Sequence, residues 1–322
     1  MKHIKPKVDV IIPTFNGLPY LKETIKSILG QTYQDFDLYV IDDGSTDKTK
    51  TYIKSIKDKR VHYHKKKNGG QAQARNVGLR ISKSPYVTFV DSDDIWYKDK
   101  LKKQVTVLES HSNYGMVYGF HRLIDQNGKV VGKVIYSKTG NLFHYLLGGN
   151  RISGSASMVM VRREVFDKVG FFREDFLIGE DWEMWLRIAR EYKIYCIEEF
   201  LAALRVLPEG MQQDYAKMAK GLDYMLPVML NEFRPSIRGT ARLKGACYFD
   251  SALYYFMAGD IDKARTNFRK LAVTNPLRIE RNINYRQMYL RLLLGGSWHY
   301  LPRKKIKKAM TSLQNMIKKR GD

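Results

Sequence analysis

Four short β-rich runs alternate with runs of helical period across the first hundred residues, and this alternation leaves few architectures open. The β-rich runs are VDVIIPT from Val8, DLYVIDD from Asp37, VHYH from Val61 and YVTFV from Tyr86. Between the first two, Leu18, Leu21, Ile25, Ile28 and Leu29 recur at helical spacing. TDKTKTYIKSI follows a cap position at Thr46, and GQAQARNVGLRIS supplies a third helix. Strands separated by helices pair in parallel and are covered on both faces, so the expected fold class is a doubly wound α/β domain.

In such sheets ligands collect beyond the carboxyl ends of the strands. Those ends read PTFN (Pro13 to Asn16), DDGSTD (Asp42 to Asp47) and DSDD (Asp91 to Asp94). A single aspartate there is explained by a turn or a helix start, where it satisfies free backbone amides. Several acids brought to one sheet edge repel one another, and a cation is the simplest relief. Hard divalent ions such as Mg²⁺ are held by one or two carboxylates together with substrate phosphates. Asp93, after the small Ser92, is the candidate ligand; Asp91 would act through water or a ribose, and Asp94 would cap the next helix.

Further along, a helix from about Lys98 to Ser110 precedes MVYGFHRLI, the turn DQNG and KVVGKVIY, which together predict a hairpin. In GEDWEMWLRIAREY, Trp182, Leu186 and Ala189 mark a buried helix face that begins just after Glu180 and Asp181. From about Arg205 the chain turns helical, with two helices joined at Gly259-Asp260 like one tetratricopeptide hairpin, whose expected role is packing rather than a solenoid. The domain expectation is therefore 1–210 for the α/β part and 211–322 for a helical region.

The formal net charge is +23, and residues 277–322 hold twelve Lys/Arg against Glu280 and Asp322. Ile306, Met310, Leu313 and Ile317 lie at helical spacing among those lysines, as in a helix resting on an anionic membrane surface. Tyr285, Tyr289, Trp298 and Tyr300 in the same tail raise nucleic acid as another anionic partner. The acidic strand ends and the lack of a recognised nucleic-acid module argue against it. Only Cys196 and Cys247 occur, without metal-ligand spacing, which favours a reducing compartment. No apolar run approaches transmembrane length or a secretory segment, so a cytoplasmic chain, peripheral at most on the membrane's inner face, is expected.

Taken in order, VDVIIPTFN, SILGQTYQDFDLYVIDDGSTD, GGQAQARNVGLRIS, YVTFVDSDDIW and GEDWEMWLR resemble the family 2 glycosyltransferases of GT-A fold over about residues 8–205. The resemblance implies a Rossmann-like, mostly parallel sheet with a C-terminal helical extension, and inverting transfer of a sugar from a nucleotide diphosphate donor. It places the donor's base and ribose among Pro13, Thr14, Phe15, Asn16 and Asp43, with Asp42 also near. Phe15 would stack on the base, and Asp43 would accept a ring N–H such as uracil or thymine offers. The family's metal motif falls on Asp91, Ser92 and Asp93, with Asp93 as the ligand of Mg²⁺ or Mn²⁺. Its catalytic base falls on Asp181, beside Glu180 and Trp182.

Arg75 is expected near the diphosphate or in a surface salt bridge, Ser155 at the rim of the sugar pocket or in an ordinary turn, and the lysines of HYHKKKNGG in a solvated loop. The acceptor is expected to be a glycan or lipid-linked hydroxyl. A nucleotidyltransferase on a related fold would carry a glycine-rich phosphate loop after the first strand, where this chain has PTFNGLPYL.

Overall fold

The computed structural model describes residues 7–152, 155–208 and 214–275. The basic tail, and with it Ile306, Met310, Leu313 and Ile317, lies outside the described residues.

The first four β-rich runs become strands β1 (Val8–Thr14), β2 (Phe36–Asp42), β3 (Val61–Lys65) and β4 (Tyr86–Phe89). β1 is buried along its whole length because it lies between β2 and β4, parallel to both. This explains why VDVIIPT is almost continuously apolar instead of alternating. Helices α1 (Leu18–Leu29), α2 (Thr49–Ser55) and α3 (Gln71–Ile81) form the crossovers. Thr46 is not the cap of α2: that position is Lys48, and Asp47 Oδ1 accepts the Thr49 amide at 3.0 Å.

The rest of the sheet is mixed. β5 (Ile95–Trp96) and α4 (Lys100–Ser110) are followed by the expected hairpin, β6 (Tyr114–Ile124) and β7 (Val130–Val134). A one-turn helix α5 (Phe143–Leu146) and a 3₁₀ turn (Ala156–Met158) precede β8 (Met160–Arg162) and α6 (Arg163–Val169). The catalytic-helix candidate is α7 (Glu180–Glu191), and β9 (Lys193–Arg205) returns beside β6. Strand order is β3-β2-β1-β4-β8-β6-β9-β5, with β7 on β6. Since β1, β2 and β4 are mutually parallel neighbours, their exits Thr14, Asp42 and Phe89 reach one edge, and the loops that follow are brought together there.

Each face of the sheet has its own core. One gathers Val8, Val10 and Ile12 of β1 with Leu21, Ile25 and Ile28 of α1 and Trp96, Leu101 and Val105. On the other, Phe89 packs edge-on against Phe166 of α6 and Phe172, and Phe172 packs edge-on against Trp185 of α7. α3 can lie close to β1 because Gly78 has no side chain; a Cβ there would stand 2.5 Å from Ile11 Cγ2.

The described residues fall into two compact units, one within 1–143, 151–175 and 180–207 and the other within 144–150, 176–179 and 208–322. In the second, α8 (Tyr215–Phe233), α9 (Ile237–Met257) and α10 (Ile261–Thr274) follow one another. α9 and α10 join at Gly259-Asp260, where Gly259 takes φ +85° and the Asp260 side chain caps α10 through the Lys263 amide at 3.1 Å. Phe249, Ala252 and Tyr255 of α9 bury against Ala264, Phe268 and Leu271 of α10. Among the described residues no helix is long and apolar enough to cross a membrane.

Candidate active site

The exits of β1 and β2 are tied together by Asn16, a non-glycine residue at φ 51°. Its amide donates to Ser45 Oγ at 2.9 Å, and its side-chain carbonyl accepts the amides of Thr46 at 2.9 Å and Asp47 at 3.3 Å. The asparagine is thereby a strut between loops. Pro13 and Thr14 lie buried at the end of β1, whereas Phe15 is 52% exposed and presents a ring face to solvent. Gly17 permits a close approach here: a Cβ would lie 2.9 Å from both Thr14 Oγ1 and Ser92 Oγ.

Asp42 and Asp43 differ in their commitments. Asp42 is wholly buried and accepts the Ser45 amide at 2.7 Å and the Tyr63 hydroxyl at 2.5 Å. Asp43 takes Lys66 Nζ at 2.5 Å and the Gly69 amide at 3.0 Å on Oδ1, and the Gly70 amide at 2.7 Å on Oδ2. The Gly69 amide also reaches Oδ2 at 3.3 Å, so both carboxylate oxygens are engaged by backbone donors of this loop. The lysine run is therefore not simply a solvated loop, since Lys66 is paired with Asp43 and Lys65 donates to Ser45 O at 2.8 Å. Gly70 presents its amide at φ +91°, a backbone conformation that a side chain would strain.

The acidic run separates into three environments. Asp91 accepts Gln71 Nε2 at 2.6 Å and Arg75 Nη2 at 2.8 Å on Oδ1, and the Ser155 hydroxyl at 2.8 Å on Oδ2. Asp94 does not cap α4. It is buried, accepting the Arg205 amide at 3.0 Å and the Ser157 hydroxyl at 2.5 Å, because the return of β9 and the 3₁₀ turn bring those donors to it. Burial and the charges of Asp93 and Asp91 hold its carboxyl well above the usual range.

Asp93 is different: Arg205 Nε bonds its backbone carbonyl at 3.0 Å, but among the described residues no other side chain bonds its carboxylate. Burial, then the charge of Asp91, pushes it up to about 6. Among the described residues no group of three His, Cys, Asp or Glu could hold a metal ion unaided. One uncommitted hard-oxygen ligand does fit an ion whose remaining positions go to phosphate and water.

Arg75 is buried, not part of a surface salt bridge. It is 2% exposed, with Nη1 2.7 Å from Glu180 and Nη2 2.8 Å from Asp91, so α3 joins the start of α7 to the β4 exit. Asp181 follows at the second residue of α7, where the Trp182 amide donates to it at 2.7 Å. Its burial and, next, the charge of Glu180 push it up to about 7, opposed by Arg75. Trp182 and Trp185 are both buried on the core face of α7.

Gln71, Ser157, Lys66 and Arg205 were not singled out from the sequence. Gln71 had a readable signal, one helical turn before Arg75, whereas the other three are assigned by contacts between distant segments.

The sequence profile described as "Glycosyl transferase family 2" matches residues 9–170, and the chain belongs to that family. It is 31% identical over 224 residues to the putative teichuronic acid biosynthesis glycosyltransferase TuaG of Bacillus subtilis, covering 68% of this chain and 87% of TuaG. Against the uncharacterized glycosyltransferases of Rickettsia felis and Rickettsia conorii, 36% and 35% identical over 62% of this chain, the chain spans about a third of their length. The fold is similar to that of S. aureus TarS 1–349 in complex with UDP-GlcNAc, with TM-score 0.62, 18% identity, and coverage of 91% of this chain and 93% of that one. It is also similar to a mannosyltransferase from Pyrobaculum calidifontis in complex with GDP-Man and Mn²⁺, with TM-score 0.57, 18% identity and coverage of 90% and 85%. The first domain's fold is thus of GT-A type, followed by C-terminal helices.

Proposed function

We propose that this chain is an inverting glycosyltransferase that moves a hexosyl or N-acetylhexosaminyl group from a nucleotide diphosphate donor, a UDP-sugar foremost, to a hydroxyl of a cell-envelope glycan or lipid-linked acceptor. One observation carries the reading: through Arg75, the helix start bearing Asp181 is joined to an acidic strand exit in which Asp93 is left uncommitted.

Asp181 accepts the proton of the acceptor hydroxyl as its oxygen attacks the anomeric carbon in line with the departing diphosphate. A group poised near neutral pH serves as a base without an extreme energetic penalty, and the positive end of α7 favours its ionised form. Asp93 would hold Mg²⁺ or Mn²⁺, which when bound offsets the charge developing on the leaving diphosphate. Phe15 stacks on the base. Asp43, held in place by Lys66, Gly69 and Gly70, would accept the imide N–H of uracil.

The similarity to TuaG and to the nucleotide-sugar complexes supports the donor class and an envelope setting. A panel of UDP-, TDP- and GDP-sugars with Mg²⁺ or Mn²⁺, scored by hydrolysis and by thermal shift, tests it. No turnover and no shift with any member would overturn the reading. Contact with an anionic membrane surface rests on the composition of the tail alone. Flotation with anionic liposomes tests that point, and equal recovery of the full chain and one truncated before Pro302 would remove it.

A further inference from the structure

Arg75 serves two carboxylates from separate elements, Glu180 at the start of α7 and Asp91 after β4. Its guanidinium lies 5.5 Å from the centre of the Phe172 ring, which limits where the plane can sit. Gln71 and Ser155 bind the same Asp91 carboxylate at 2.6 and 2.8 Å, so Asp91 is anchored by three side chains. Asp181, beside Glu180, is surrounded by charge from three elements: Glu180 on its own helix, Asp91 from the β4 exit and Arg75 from α3, with the Trp182 amide donating to it. Glu180 and Asp91 oppose its ionisation and Arg75 favours it.

Resting on the glycosyltransferase reading, we propose that Arg75 is a positioning residue: it locks the first turn of α7 to the acidic strand exit and supplies the positive charge that keeps Asp181 usable as a base near neutrality. A lysine cannot replace it in both tasks, because a single ammonium does not span two carboxylates in the fixed plane of a guanidinium.

The charges predict effects of opposite sign. Removing a positive neighbour makes a carboxylate harder to ionise, and removing a negative one makes it easier. Arg75→Gln therefore moves the acid limb of the pH profile of kcat/KM upward by about one unit, and Glu180→Gln moves it downward by a similar amount. The double variant returns close to the parent limb. A residue with only a structural role would depress the rate at every pH and leave the limb in place.

Melting of the full chain from about pH 5.5 to 8.5 reads the same coupling without catalysis. Asp181 is harder to ionise in the fold than in the unfolded chain, so its stabilising effect is present at low pH and is lost as pH rises through about 7. Glu180→Gln should flatten that fall in Tm, Arg75→Gln should steepen it, and both effects should vanish in an Asp181→Asn background. Should Arg75→Gln fail to fold, Arg75→Lys replaces it, with the limb kept but kcat lowered by about 10- to 100-fold through lost alignment. Melting profiles unchanged in slope, or shifted in the same direction by Arg75→Gln and Glu180→Gln, would overturn the proposal. A wild-type chain inert toward every donor would overturn the glycosyltransferase reading, and the melting profiles would still decide the charge coupling.

Discussion

The Ser157 hydroxyl donates to Asp94 Oδ2 at 2.5 Å, and this bond separates two adjacent carboxylates into a structural member and a free one. Asp94 also receives the Arg205 amide, whereas among the described residues no other side chain bonds the Asp93 carboxylate. Asp94→Ala should destabilise the fold by about 2–3 kcal/mol, because it leaves a buried amide and a hydroxyl without their acceptor. Asp93→Asn should leave Tm unchanged or slightly higher above pH 6, since it removes a carboxylate that the fold keeps harder to ionise. It should abolish the Mn²⁺-dependent part of turnover. Melting curves and a Mn²⁺ titration of the two variants check the contrast.

The Asp181 carboxyl, pushed up to about 7 by burial and by Glu180, gives the pH dependence a definite sign. A base must be ionised to act, so kcat/KM should rise with unit slope below pH 7 and level off above it. Asp181→Asn should lose about 10²- to 10⁴-fold in kcat with donor affinity retained. The same variant should melt several degrees higher at pH 8 and show a smaller difference at pH 5. Steady-state kinetics and melting at the two pH values read both effects, and near-normal transfer would refute the role.

Gly17→Ala should damage the strand exits without touching a ligand. The new Cβ would lie 2.9 Å from Thr14 Oγ1 and Ser92 Oγ, so those hydroxyls or the loops that carry them must shift. Donor affinity should fall several-fold and Tm by a few degrees, which isothermal titration and a melting scan would separate.

Phe15→Ala probes the exposed ring. With half its surface already in solvent, its loss should leave Tm within a degree or two while weakening donor binding about 10-fold. An unchanged Kd for UDP would place the base elsewhere.

Much of the site's location is legible in the chain itself. Apolar runs bounded by acids and glycines mark β1 to β4, and parallel pairing then forces PTFN, DDGSTD and DSDD to one edge. Which acid does what is not legible. Asp42 and Asp43 are neighbours of the same type, yet one is closed by Tyr63 and Ser45 and the other is held by Lys66, Gly69 and Gly70. The two cap expectations fail differently: Asp47, next to Thr46, accepts the Thr49 amide, whereas Asp94 is taken by Ser157 and Arg205 from distant segments.

The sequence by itself determined the family, the α/β order of the first domain and the cluster of strand ends where acids gather, because these follow from periodicity and short motifs carried by neighbouring residues. Only the tertiary structure decided that Arg75 is buried between Glu180 and Asp91, that Lys66 closes on Asp43, and that Asp93 keeps its carboxylate uncommitted. A side chain's charge state and hydrogen-bond partners depend on what else is brought within a few ångströms. For Arg75 and Asp43 the decisive neighbours lie 16 to 105 positions away in the chain.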